Sequence, residues 1–158
     1  MSSVKIHTPK TKLGALLRTP GGMAVQDAVI KAGSRLASLR TDCLTELKTT
    51  LEQAEACAGR ANGVYNTEVA GELYTIVSAQ IGVPSVCGLS SVDTALTSLA
   101  DLLDYLRSRE QWDANAVAVH LRAFRLLLHT ETNLDAAGTQ AILQGLRKVS
   151  ERYAKPTE

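Results

Sequence analysis

Apolar positions recur at spacings of three and four along almost the whole chain, the mark of amphipathic helices, and no stretch alternates with the period of two that a strand requires. The longest run starts near Ala24 and passes through Val25, Val29, Ala32, Leu36, Leu39, Cys43, Leu47, Leu51 and Ala54, ending before Gly59. A helix of about 33 residues would be about 50 Å long. That exceeds the helices that follow, so part of it must overhang or meet a second chain, and a homodimer through this helix is expected.

After a turn around Asn62 and Gly63, Asn66 or Thr67 can cap a second helix running through Glu68 and Leu73 to about Gly82, with Pro84 bending or stopping it. Ser90 or Ser91 then caps a third, whose stripe is Val92, Leu96, Leu99, Leu103 and Leu106, with Asp93, Asp101 and Asp104 off it. A fourth begins at Asp113 with Val117, Leu121, Phe124 and Leu128 inward, and a fifth near Asp135 with Ile142, Leu146, Val149 and Tyr153 inward. Arg147, Lys148 and Arg152 suit the end of that helix, where cations complement its dipole.

Residues 1–23 read differently. They are basic, with Lys5, Lys10, Lys12 and Arg18 and no acid, and are broken by Pro9, Pro20, Gly21 and Gly22. Within this arm, Lys12 to Arg18 sets Leu13, Leu16 and Leu17 on one side of a predicted short helix that straps onto its own bundle or docks on a partner. The organisation expected is therefore an arm over 1–23, an all-α domain over 24–154 and a tail over 155–158. Within the domain, an antiparallel four-helix bundle follows a long first helix.

Composition narrows the chemistry. One domain suffices for 158 residues, and 17 basic against 16 acidic side chains leave a net charge of +1, with no field to recruit nucleic acid. Aromatics at 4% provide little material for base stacking. No apolar run reaches a secretory signal core or a membrane span, so a cytoplasmic location is expected. Cys43, Cys57 and Cys87 are odd in number and far apart, which predicts reduced thiols rather than a disulfide framework or zinc site. His7, His120 and His129 share no metal-ligand spacing, and neither a nucleophile elbow nor a phosphate loop is present. Hence no catalytic residue, metal or cofactor is expected. His120 falls about 60° from the centre of its helix's apolar stripe, a half-buried boundary position, and is the alternative phosphoacceptor.

The second helix carries the candidate binding face. Around Ser78, the residues Gly71, Tyr74, Thr75, Ile81, Gly82 and Ser85 cluster within about 60°, opposite Val69, Leu73, Ile76 and Gln80. Small residues at Gly71, Ser78 and Gly82 make a low floor flanked by Tyr74 and Ile81. Glycine in a helix costs about 1 kcal/mol against alanine, so two on one face point to a close approach.

Residues Leu73 to Leu89 resemble the central helix of histidine phosphotransfer domains, four-helix bundles that pass phosphoryl groups between kinases and response regulators. That family's motif is His-x-x-Lys-Gly, five residues, then Gly. Gly82 and Gly88 hold its glycine places, and Val92, Leu96 and Leu99 match the next helix. The phosphoacceptor would fall on Ser78 and the lysine on Ile81, so the resemblance implies a docking face without the transfer chemistry. The whole chain is also similar to the CheE group of small bacterial chemotaxis-cluster proteins. The shared stretches are Lys10 to Leu13 before Pro20 to Gly22, Gly88 to Ser90, Trp112 with Val119 to Leu121, and Gln144 to Val149. These likenesses imply a non-catalytic signalling adaptor that binds a response-regulator receiver domain or a histidine kinase. An active phosphotransfer protein using His120 and a helical dimerisation module are the alternatives.

Overall fold

The structure is a computed structural model that describes residue 21, residues 23–130 and residues 135–154. The predicted arm helix over 12–18 and the tail over 155–158 lie outside the described residues. The described residues form α-helices and no strand: α1 (Val25–Gly59), α2 (Thr67–Ser78), the short α3 (Val83–Val86), α4 (Ser90–Ser108), α5 (Ala114–His129) and α6 (Ala136–Ala154). The chain divides into two compact units, Met1–Arg35 and Leu36–Glu158.

In the second unit α4 is the central element, packed against α2, α3, α5 and α6, while α5 also meets α6. The reason lies in its sequence. Val92, Leu96, Leu99, Leu103 and Leu106 form the expected stripe, and Ala95, Ala100 and Leu102 widen it to a buried apolar face of roughly 160°. The carboxyl half of α1 joins this core through Cys43, Leu47, Leu51, Ala54 and Cys57. It is tied to α5 by the Glu55–Arg125 ion pair, and to α2 by the Cys57 thiol, which donates to the Val69 carbonyl at 3.6 Å. No disulfide joins the three cysteines, of which Cys43 and Cys57 are buried and Cys87 is half-buried.

Caps fix where the helices begin. The Asn66 side chain accepts from the Glu68 and Val69 amides at 2.9 and 3.0 Å, and Asp113 accepts from Ala116 at 2.9 Å. Asp135 accepts from the Gly138 amide at 2.7 Å just before α6. The serine cap expected for α4 is not used: Leu89 occupies the N-cap position, and no side chain bonds there.

The second predicted helix is shorter than its period suggested. It ends at Ser78 rather than near Gly82, because Gly82 takes φ +92°, a left-handed conformation that ends an α-helix and that side-chain-bearing residues adopt at a cost. Pro84 then sits in the first turn of α3, where its missing N–H is no loss. The core face of α2 is also shifted. Val69, Ala70, Leu73 and Val77 are buried, whereas Ile76 packs on the core only in part.

Along α1 the apolar period is unbroken, but its partners are not. From Met23 to Leu39 every described side chain is exposed, including Val25 at 80% and Val29 and Ile30 at 66% each.

Candidate functional site

The seven residues predicted for the binding face divide between two local structures. Gly71, Tyr74, Thr75 and Ser78 lie on α2, while Ile81 and Gly82 belong to the turn after it and Ser85 to α3. A single helical face through all seven is therefore corrected to a short α2 face that continues into a turn.

On α2, a Cβ built on Gly71 would meet nothing within 4 Å, so the low floor is open to the outside. Tyr74 is half-buried against the core, and the Arg107 guanidinium from α4 lies 4.7 Å from the centre of its ring, a cation–π contact that fixes the ring's orientation. The Thr75 hydroxyl donates to the Gly71 carbonyl at 2.9 Å, and the Ser78 hydroxyl donates to the Thr75 carbonyl at 3.4 Å. Both hydroxyls thus satisfy the helix's own backbone. Ile81 remains 41% exposed at the end of the face.

The turn is held from α4. One carboxylate oxygen of Asp93 accepts the Gly82 amide at 2.7 Å, and the other accepts the Ser85 hydroxyl at 2.6 Å. The polar groups of Gly82 and Ser85 are thereby committed within the chain. What is left for a partner is the surface of Gly71, the Tyr74 edge and Ile81.

His120 is not at a boundary. It is fully buried, and both ring nitrogens are engaged. Nδ1 lies 2.9 Å from the Ala116 carbonyl; since a carbonyl only accepts, Nδ1 carries the proton and Nε2 is an acceptor. Nε2 faces the hydroxyls of Ser98 on α4 at 3.1 Å and Ser150 on α6 at 3.3 Å, which lie 3.1 Å from each other. The cluster joins α4, α5 and α6. Burial lowers the imidazole's pKa below its ordinary 6.5, with the Ala116 hydrogen bond opposing in part. A neutral ring with no route to a partner's active site cannot serve as a phosphoacceptor in this conformation.

Ser98 and Ser150 also line a groove of about 700 Å³ between α4 and α6, rimmed by Asp101, Tyr105, Gln144 and Arg147. The Ser98–His120 pair has the spacing of a nucleophile and its base. Ser98, however, sits inside α4, where backbone amides are spent on the helix, so no oxyanion donor adjoins it. The cluster's chemistry is that of a polar pin between helices. Sequence reasoning missed both serines because they lie 22 and 30 residues from His120, and helical spacing relates only near neighbours.

Among the described residues, no group of three or more His, Cys, Asp or Glu side chains is placed to hold a metal ion. No described helix is long and apolar enough to cross a membrane. No protein-family model, curated protein or solved structure matches the chain. The class defined by the fold is an all-helical protein with a small open helix face and a buried histidine pin.

Proposed function

We propose that this chain is a non-catalytic signalling adaptor built on a four-helix scaffold of the phosphotransfer kind, which binds a receiver domain or a histidine kinase through α2 and the turn after it. The observation that carries this reading is the Gly71 position: a bare helical surface with open space above it, beside a tyrosine held in place by Arg107. The affinity such a small patch supports is modest and suits exchange between partners. The likeness to phosphotransfer and chemotaxis-cluster proteins supplies the partner class.

Binding titrations of the full chain against receiver domains and the histidine kinase of its own chemotaxis system test the reading. Gly71→Arg and Ile81→Asp are expected to weaken binding at least tenfold while helicity is retained. Gly71→Arg is the cleaner variant, because removing a mid-helix glycine favours the helix. Undiminished binding in both variants would move the interface elsewhere. Incubation with a phosphorylated partner is expected to leave no acid-labile phosphoryl group on the chain.

A second reading rests on a different observation. Val25, Val29, Ile30, Leu36 and Leu39 are all exposed on α1, which favours self-association of this helix as a homodimer. Sedimentation at several concentrations is expected to show a dimer that Leu36→Glu with Leu39→Glu dissociates. A monomer throughout would remove this reading.

A further inference from the structure

We propose that the end of the bundle where α4 leads into α5 holds a binding site for a quaternary ammonium group, made by the rings of Tyr65, Trp112 and Tyr153 and the carboxylates of Glu110 and Asp113. It shares no residue with the α2 face and depends on neither functional reading. These five residues line one pocket of about 490 Å³, with the buried Leu106 among its walls. That volume lies within the range of small-molecule sites. Three chain segments meet there. Tyr65 comes from the turn before α2, Glu110 to Asp113 from the link between α4 and α5, and Tyr153 from the end of α6. The chain has one Trp, one Phe and four Tyr, and three of these six rings stand at this pocket, each half-buried.

The combination selects a class of ligand. Aromatic rings attract a cation through their quadrupole, and neighbouring carboxylates add charge attraction while repelling anions. A quaternary ammonium suits both, because it has no N–H that must stay bonded to water and its methyl groups pack on the rings. The lining residues include no Lys or Arg, and Arg152, whose charge is felt at the Tyr153 hydroxyl, is not among them. The Tyr153 hydroxyl donates to Asp113, which ties the ring and holds that carboxyl below its ordinary 3.8, ionised at neutral pH. Glu110 adds an independent sign. The Gln111 amide donates to the Leu106 carbonyl at 2.9 Å and the Glu110 amide to the Arg107 carbonyl at 3.2 Å, the bond pair of a helix end whose left-handed residue is usually glycine. Glu110 takes φ +50° in that place, at a cost glycine would not incur. What the glutamate supplies there and glycine cannot is a carboxylate beside three rings.

Trp112 is the only tryptophan of the chain, so its fluorescence reports on the pocket directly. Titration of the full chain with choline chloride is expected to change that emission saturably. Sodium chloride at equal ionic strength and the neutral carbon isostere of choline are expected to leave it unsaturated. Glu110→Gly is expected to weaken choline binding at least threefold while raising the urea midpoint, because it removes the charge and the backbone strain together. Tyr65→Leu, which keeps an apolar wall but no ring, is expected to weaken binding as well. A peptide carrying trimethyllysine presents the same group, and comparing it with choline separates a modified protein from a free molecule as the source; tighter binding of either than of the isostere upholds the site. Three results would overturn it: no saturable response to choline or to the peptide, an isostere that binds as well as choline, or choline binding unchanged in Glu110→Gly.

Discussion

His120 on α5 and Ser98 on α4 face each other across 3.1 Å, with the imidazole accepting and the hydroxyl donating. The pair is part of a neutral network, and its consequence is a dependence on pH. Burial holds the folded-state pKa of His120 below its ordinary 6.5, so below that pH the unfolded chain binds the proton more readily than the native protein. The stabilising contribution is therefore fully present above pH 6.5. It declines as the pH falls from 6.5 through the folded-state pKa. Urea midpoints measured between pH 7.5 and 5 are expected to drop in the wild type. In His120→Gln, which has no proton to take up there, that part of the slope is expected to vanish, at a cost of about 1–3 kcal/mol at neutral pH for disturbing buried hydrogen bonds.

The clasp between Asp93 and the α2–α3 turn makes a second prediction. Asp93→Ala removes the acceptor of both the Gly82 amide and the Ser85 hydroxyl, and about 1–2 kcal/mol of stability should go with it. Gly82→Ala should cost about 1 kcal/mol for another reason, the residue's φ of +92°. A Cβ there meets nothing within 4 Å, so no clash is involved. Denaturation of the two single variants and the double variant should give a smaller loss for the double than the sum, because a shifted turn loses the same hydrogen bond that Asp93 supplies.

This turn also shows where the sequence was legible and where it was not. The stripe of α4, a cap at Asn66 or Thr67 and the start of α5 at Asp113 could be read directly, since they depend on residues within a few positions of each other; the structure selects Asn66. The end of α2 could not be read from periodicity, because Ile81 and Gly82 fit the helical pattern while the backbone at Gly82 leaves it. The warning lay in Gly82 and Pro84 together. Burial of His120 was illegible for a related reason. Its angle on α5 is set locally, but its depth is set by α4 and α6. Along α1, the period that marks Val25 and Val29 is the same one that marks Cys43 and Leu47. Only the latter two have a core to meet among the described residues. Periodicity gives the side of a helix, not its occupant.

Asp113 and Tyr153 carry a third prediction. The Tyr153 hydroxyl donates to the Asp113 carboxylate, which also caps α5. The tyrosine's hydrogen bond holds the Asp113 carboxyl below its ordinary 3.8, so that contribution is present above pH 3.8 and is lost as the pH falls through the folded-state value. On the other side, burial first and then the Asp113 bond push Tyr153 up to about 12. Its contribution is present below pH 10 and is lost as the pH rises from there towards 12. Ultraviolet titration should show a late phenolate transition that Tyr153→Phe removes. Asp113→Ala should cost about 1–2 kcal/mol as a lost cap.

Helix α6 is the element most exposed to a single substitution. Leu146 is its one fully buried residue, supported by the partly buried Ile142, Leu143, Val149 and Tyr153. Leu146→Ala should therefore cost about 2–4 kcal/mol, the range for truncating a buried leucine. The loss should not be spread evenly. With its one fully buried side chain cut back, α6 keeps the Ser150 and Tyr153 hydrogen bonds toward its carboxyl end and only partly buried apolar contacts before Leu146. Native-state hydrogen exchange of Leu146→Ala should then show opening in α6 first, at the turns before Leu146, while α4 keeps the protection set by global unfolding. Equal acceleration in α4 and α6 would mean that the helix and the core unfold as one cooperative unit, and that the pins at Ser150 and Tyr153 do not hold α6 once its leucine is cut back.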